Sequence, residues 1–158
     1  MKEVEISGNL NHSIDWLQEN GKRYFQAALY TGASIIVKQA KSNLNSALPA
    51  SINRNPRFND TLQDAIRYSH TEGDVITVHT LGTRQSGSGT YRTRFFENGT
   101  RERYQKTYAG IPLKKKRYIG KLKPLGFFNS AVVSTQSLVM DEMQKVIDRM
   151  IDKADKNN

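Results

Sequence analysis

Apolar residues recur every three or four positions from Ile14 to Leu44, through Leu17, Tyr24, Phe25, Ala28, Leu29, Ile35, Ile36 and Ala40. That period makes one stripe of a helix apolar, and a strand, which alternates every two residues, cannot satisfy it. The chain must therefore fold around a long N-terminal helix. Asn11 or Ser13 is the expected cap, with Asp15 in the positive first turn. The expected stop is near Leu48-Pro49, because the residue before a proline disfavours the helical region. Gly21 and Gly32 lie on the same stripe. A glycine costs ~1 kcal/mol relative to alanine inside a helix, so each marks a bend or a place where another element comes close. A second stripe, Val132, Val139, Met143, Val146, Ile147, Met150, Ile151 and Ala154, predicts a C-terminal helix beginning near Asn129 or Ser130. Ile35, Ile36, Val146, Ile147 and Met150 are expected to be buried between the two helices and a sheet.

The segments between the helices read differently. Residues 49–60 hold two prolines and several turn formers, and read as a loop. Leu62–His70 and the β-branched run Val75–Leu81 suit a hairpin about the Gly-containing link 71–74. His70 and His79 are expected to be neighbours across it. Residues 82–90 (GTRQSGSGT) form a polar loop, followed by an aromatic-rich turn ending at Thr100. Arg101–Leu122 alternates basic and aromatic residues around Gly110-Ile111-Pro112, as an exposed hairpin or a long ordered loop would. The order helix, strands, helix predicts an α+β fold: a small antiparallel sheet packed by a long N-terminal helix and a C-terminal helix, with an exposed basic hairpin or loop. At 158 residues the whole chain, 1–158, reads as a single domain, with 1–10 and 153–158 expected to fray.

Charge is concentrated, not spread. The chain carries 24 Lys+Arg and 15 Asp+Glu, for a net +9. From Arg84 to Lys123 there are twelve basic and two acidic residues, net +10, and the remainder sums to −1. The positive field belongs to one segment. Within it, Lys114, Lys115, Lys116, Arg117, Lys121 and Lys123, interleaved with tyrosines, are the candidate contacts for nucleic acid or a partner. They are expected to form one exposed edge, with Tyr118, Leu122 and the lysine stems packed down. Three uses of such an edge stay open: phosphate binding, an acidic protein partner, and a solvated edge whose lysines block strand association.

Catalytic signatures are not found in the sequence. There is no cysteine, which removes disulfides, thiolate metal sites and thiol nucleophiles. His12, His70 and His79 have no metal-like mutual spacing. No Gly-x-Ser-x-Gly elbow occurs. The glycine-rich run Gly82–Gly87 lacks both the Walker lysine and the dinucleotide spacing. The chain is therefore expected not to be an enzyme and to use no cofactor or metal. Met1–Trp16 is too polar for a secretory leader, and no apolar run approaches the ~20 residues of a membrane span.

Four landmarks in order carry a resemblance. The long N-terminal amphipathic helix is followed by Asp60-Thr-Leu62-Gln-Asp-Ala65-Ile66 at the start of a strand pair, then the turn Glu97-Asn98-Gly99-Thr100, then Phe127-Phe128-Asn-Ser-Ala131 leading into the last helix. The chain resembles, over roughly Ile14 to Ile151, the small head–tail joining proteins of long-tailed bacteriophages, also described as tail-completion or tail-terminator-like proteins. That family shows a Gly-x-Leu-x-x-Ser-Ile stretch, a Glu-x-Gly-Thr turn and a Phe-Leu-x-x-Ala lead into the last helix. Here Asp60 stands where the family's glycine is expected, and the basic stretch between Thr100 and Phe127 is longer than the family pattern.

The resemblance implies a phage or prophage virion structural protein, located at the neck and assembled in the bacterial host cytoplasm. It implies that copies form a ring, often a hexamer, between head-completion and tail-tube proteins, with no membrane. Packaged DNA is a further expected partner on account of the basic segment, not of the resemblance. Glu97, Gly99 and Thr100 are the family turn motif. Physically, Gly99 suits a backbone of positive φ and Glu97 suits acceptance of hydrogen bonds from turn amides. The rival expectation is a free-standing basic nucleic-acid-binding module.

Overall fold

The structure is a computed structural model that describes residues 7–49, 52, 62–71, 74–80 and 89–156. Most of the 49–60 loop, including Asp60, and residues 82–88 of the polar loop lie outside them. The element order is α1 (Ser7–Ala47), a 3-10 turn (Leu62–Ala65), β1 (Arg67–Thr71), β2 (Val75–His79), α2 (Gly89–Asn98), β3 (Arg103–Tyr108), β4 (Ile111–Gly120) and α3 (Phe127–Lys156). The fold is α+β, with two long helices packed together and two separate antiparallel hairpins, β1–β2 and β3–β4.

The long helices run antiparallel. Asn43 Nδ2 donates to the Phe127 carbonyl at 3.1 Å, Gly32 faces Val139 and Met143, and Lys153 Nζ lies 5.7 Å from the centre of the Tyr24 ring. α1 has 41 residues, ~61 Å at 1.5 Å per residue, and α3 has 30, ~45 Å. α1 therefore outruns α3 at its own N-terminal end. Gly32 is needed for the close approach: a Cβ there would sit 2.9 Å from Met143 Sδ and 3.0 Å from a Val139 methyl. A Cβ at Gly21 would meet nothing within 4 Å.

Small residues line the inter-helix seam. Ala28, Ala33, Ala40, Ala131 and Ala154 are buried, whereas Ile35, Ile36, Val146, Ile147 and Met150 are half-buried rather than enclosed as expected. The reason is geometric. A single helix covers only one side of its partner, and alanine and glycine at the contact bring the axes close, so bulkier neighbours flank the seam and keep one side in water. Val132 and Ile151, expected on the packed face of the C-terminal helix, are exposed.

The enclosed core lies where the C-terminal part of α1 meets the start of α3. Ala40, Leu44, Leu62, Ile66, Phe127 and Ala131 form one buried cluster, flanked by Val37, Leu48, Phe96 and Phe128. Leu62 enters it from a 3-10 turn, on which Ala65 is also buried, and not from the strand expected there. A turn suits them better, because an i, i+3 spacing in that geometry places both side chains on one side.

Helix boundaries also depart from the sequence expectation. α1 begins at Ser7, upstream of Asn11 and Ser13, so Asp15 is not in its first turn. No proline precedes residue 49, and polar residues cost a helix only tenths of a kcal/mol each, about 0.5, so nothing local stops it at residue 11. Its end at Ala47 agrees with the proline rule. α3 begins at Phe127 and is helical through Lys156, into the 153–158 stretch expected to fray, with Ala154 buried. Residues 89–98, expected within a loop and turn, are the helix α2. Thr93 on it is fully buried, and its hydroxyl lies 3.4 Å from the Leu62 carbonyl.

The first hairpin lies against α1, with the Tyr68 ring 5.7 Å from that of Tyr30. Its register pairs His70 with Ile76 and His79 with Arg67, so the two histidines stand at opposite ends of the ladder and are not cross-strand neighbours.

Candidate functional site

Two places hold the residues singled out from the sequence: the clamp at the start of α3 and the second hairpin. The clamp follows from Gly99. Its φ of +72° turns the chain out of α2, and a Cβ there would meet the Leu122 carbonyl oxygen at 2.8 Å and Pro124 N at 2.9 Å. The segment after β4 thus runs directly beside the turn. Thr100 N–H donates to the Leu122 carbonyl at 3.0 Å, and Leu122 N–H donates back to Thr100 Oγ1 at 3.0 Å. Leu125 N–H donates to the Phe96 carbonyl at 2.8 Å and Gly126 N–H to the Glu97 carbonyl at 3.3 Å.

Glu97 does more than serve its own turn. The Phe128 N–H donates to its Oε2 at 2.9 Å and the Asn129 N–H to its Oε1 at 3.1 Å. One carboxylate thereby satisfies two of the free amides at the start of α3, and its negative charge lies at the positive end of that helix. Glu97 is a helix cap supplied from another element, which corrects the expectation that it would bind amides of its own turn. Asn129 and Ser130 are not needed as caps. Glu97, Gly99 and Thr100 are brought together as a structural joint.

The second hairpin contacts chiefly itself. Tyr108 and Ile111 pair across a two-residue turn, Ala109-Gly110, whose φ values of +47° and +82° are those of a type I′ turn. Tyr104 pairs with Tyr118, ring centres 5.4 Å apart and tilted by 59°. The Tyr104 hydroxyl donates to Glu102 Oε2 at 3.0 Å, and this bond to a carboxylate raises the tyrosine pKa above its usual value. Tyr118 stands 54% exposed, so it does not pack down as expected; its ring lies against Tyr104 instead.

The ladder is interrupted next to the lysines. Gln105 pairs with Arg117, while Thr107 pairs with Pro112. Lys106 alone therefore faces Leu113, Lys114, Lys115 and Lys116, and the triple lysine lies in a wide bulge. A bulge of this kind breaks the strict alternation of faces along a strand. Lys114, Lys115, Lys116, Arg117, Lys121 and Lys123 are all exposed, and so are Arg103 and Lys106 on the opposite strand. The expected edge falls on β4 (Lys114–Arg117) and on the segment just after it (Lys121, Lys123); the pairing register adds Arg103 and Lys106 on β3, whose membership the local charge density already signalled.

An open cleft of about 350 Å³ lies between β2, α2 and the start of α3, with His79, Arg94 and Asn98 on its walls. The Glu97 carboxylate that also lines it is engaged by α3. Among the described residues, no group of three or more His, Asp or Glu side chains is placed to hold a metal ion. Among the same residues, no helix is long and apolar enough to cross a membrane. Comparison of the chain with protein-family models, with curated proteins and with solved structures finds no match.

Proposed function

We propose that this chain is a structural subunit of a phage or prophage virion, one of several identical copies that form a ring at the head–tail junction. The observation that carries the reading is where the resemblance residues fall. Leu62, Ile66, Phe127 and Ala131 share one buried cluster, and Glu97, Gly99 and Thr100 clamp the segment that leads Phe127 into it. Short motifs far apart in sequence thus make a single joint, which gives a physical reason for them to occur together.

A ring needs an uncovered surface, and α3 supplies one. Val133, Met140 and Ile151 are 67%, 63% and 47% exposed. With half-buried Ile147 they follow a spacing of seven, seven and four residues, which places them on one stripe beside the α1 seam. A neighbouring copy would cover this stripe, and head-to-tail contacts of one kind close into a ring when the rotation permits. Neighbouring head-completion and tail-tube proteins are the other partners of this reading, and its chemistry is assembly, with no catalytic step and no cofactor.

Imaging of purified virions tests it. The chain is expected at the neck, as a closed ring between the capsid connector and the tail tube. Fully joined, normal virions that lack the chain would overturn the proposal.

A further inference from the structure

We propose that the β3–β4 ribbon is an arm that binds double-stranded DNA through its phosphates without reading its sequence. This goes beyond the assembly reading and does not depend on it. From Arg103 to Lys123 the chain carries eight basic residues and no Asp or Glu, and all eight are exposed. None of them pairs with a carboxylate among the described residues; the ion pair seen there, Lys145 with Glu142, is on α3. Lys106 faces Lys114, Lys115 and Lys116 across the bulge. Like charges crowded in one unpaired stretch repel one another, so this arrangement gains from a polyanion laid along it. Blocking strand association needs a charge or two on an edge, far fewer than eight.

The kind of charge separates a nucleic acid from an acidic protein. Six of the eight are lysine and two are arginine. Lysine is depleted at protein–protein interfaces, where arginine and aromatic anchors are enriched. As a compact point charge on a flexible stem it suits phosphates, whereas base reading favours the planar arginine fork. Phosphate contact without sequence preference is the outcome.

Shape then selects the duplex. A ribbon of two strands ~4.8 Å apart fits the major groove of B-form DNA, ~12 Å wide, whereas the deep, narrow groove of an RNA helix excludes it. β3 has six residues and the surplus of β4 is taken up in the bulge, so the paired ribbon reaches ~20 Å, a little over half a duplex turn. Single-stranded DNA is held by bases stacking on open aromatic faces. Tyr104 and Tyr118 instead lie against each other, and the Tyr104 hydroxyl is bound to Glu102, which leaves Tyr108, at the turn, as a single open ring where a run of stacked bases needs several. The first hairpin has no such surface: it lies against α1, and its strands carry Arg67 as their one permanent positive charge.

The test is fluorescence anisotropy of the full chain with a labelled mixed-sequence duplex of about 30 base pairs, from about 50 to about 200 mM salt. The affinity is expected to fall by about a thousandfold to ten-thousandfold over that range, with a slope of log K on log salt of about −5 to −7, for six to eight phosphates. Changing Lys114, Lys115, Lys116 and Arg117 together to glutamine should make that slope shallower by about 3 to 4, while circular dichroism stays that of the parent. A second duplex of unrelated sequence should bind within about threefold, as backbone contacts require. The proposal is overturned by no binding at the lowest salt, by an unchanged slope in the quadruple variant, or by tighter binding of oligo(dT) than of duplex. Poly-glutamate that displaces the duplex as effectively as unlabelled duplex does would overturn it in favour of an acidic protein. Because isolated chain and naked DNA are used, failure here leaves neck localisation untouched, and absence from the neck leaves this result untouched.

Discussion

The two hairpins are built from the same kind of pairing and have opposite fates. β1–β2 starts from Ile66, which is fully buried in the core, and lays Tyr68 against Tyr30 of α1. β3–β4 is longer and carries more aromatic residues, yet Tyr104, Tyr108, Ile111, Tyr118 and Ile119 are all exposed. The difference lies in what each can bury. Val75 is exposed, but Ile76 and Val78 are partly covered, so β2 keeps a two-residue alternation that gives it one face to turn inward. In β4 lysines and an arginine occupy four consecutive positions, 114 to 117, so whichever face turned inward would bury a charge. A hairpin of that composition stays in water, and its stability comes from its turn, its tyrosine pair and the clamp at its base.

That contrast can be tested by substitution, with denaturant unfolding as the measurement. Ile66→Ala, at the root of the embedded hairpin, is expected to cost about 2–5 kcal/mol, the range for removing a buried branched side chain. A loss below about 0.5 kcal/mol, the size of an ordinary surface change, would place Ile66 outside the core and remove the contrast. Gly99→Ala at the base of the ribbon combines a left-handed backbone with a Cβ pressed on the Leu122 carbonyl, and is expected to cost about 2–4 kcal/mol. Glu97→Ala should cost about 1–2 kcal/mol through the lost cap, with Glu97→Gln recovering part of it because one carbonyl acceptor remains. Equal stability of Glu97→Ala and the parent would mean that water caps α3 as well. The smallest effect is expected on the ribbon itself: glutamine at Lys114, Lys115, Lys116 and Arg117 should leave stability within about 0.5 kcal/mol of the parent. A larger loss would show that these side chains support the fold and are not a free surface. A gain of that size would instead measure the repulsion within the bulge.

Much of this architecture could be read from local pattern. The three-to-four spacing of apolar residues in α1 and α3, the proline that ends α1 and the β-branched run of β2 each act within a few residues, and each element formed where its pattern lies. The basic segment was legible in its charge, which is local; a hairpin and an ordered loop about Gly110-Ile111-Pro112 both fit it, and the strand pairing sets the turn at Ala109-Gly110. α2 was not. Its ten residues include two phenylalanines, a tyrosine and two threonines, a mixture of weak helix propensity, and tertiary contacts such as buried Thr93 beside Leu62 hold it. The burial of particular side chains was also hidden. A periodic stripe states which residues face a partner, but the distance between the helix axes decides whether isoleucine or alanine is enclosed, and Gly32 against Met143 decides that distance.

The α3 boundary shows the division most directly. Its apolar stripe alone called for a C-terminal helix, because a 3.6-residue period has one local solution. Its first residue could not be read that way, because the group that accepts its free amides is Glu97, 31 positions before Phe128. The same holds for the edge of the ribbon. Charge density could be counted along the chain, whereas the joining of Lys106 to Lys114–Lys116 depends on a bulge in strand pairing. Propensity and periodicity act over a turn or two of chain. Caps, bulges and close approaches depend on which distant residues meet, and that is settled only when the whole chain packs.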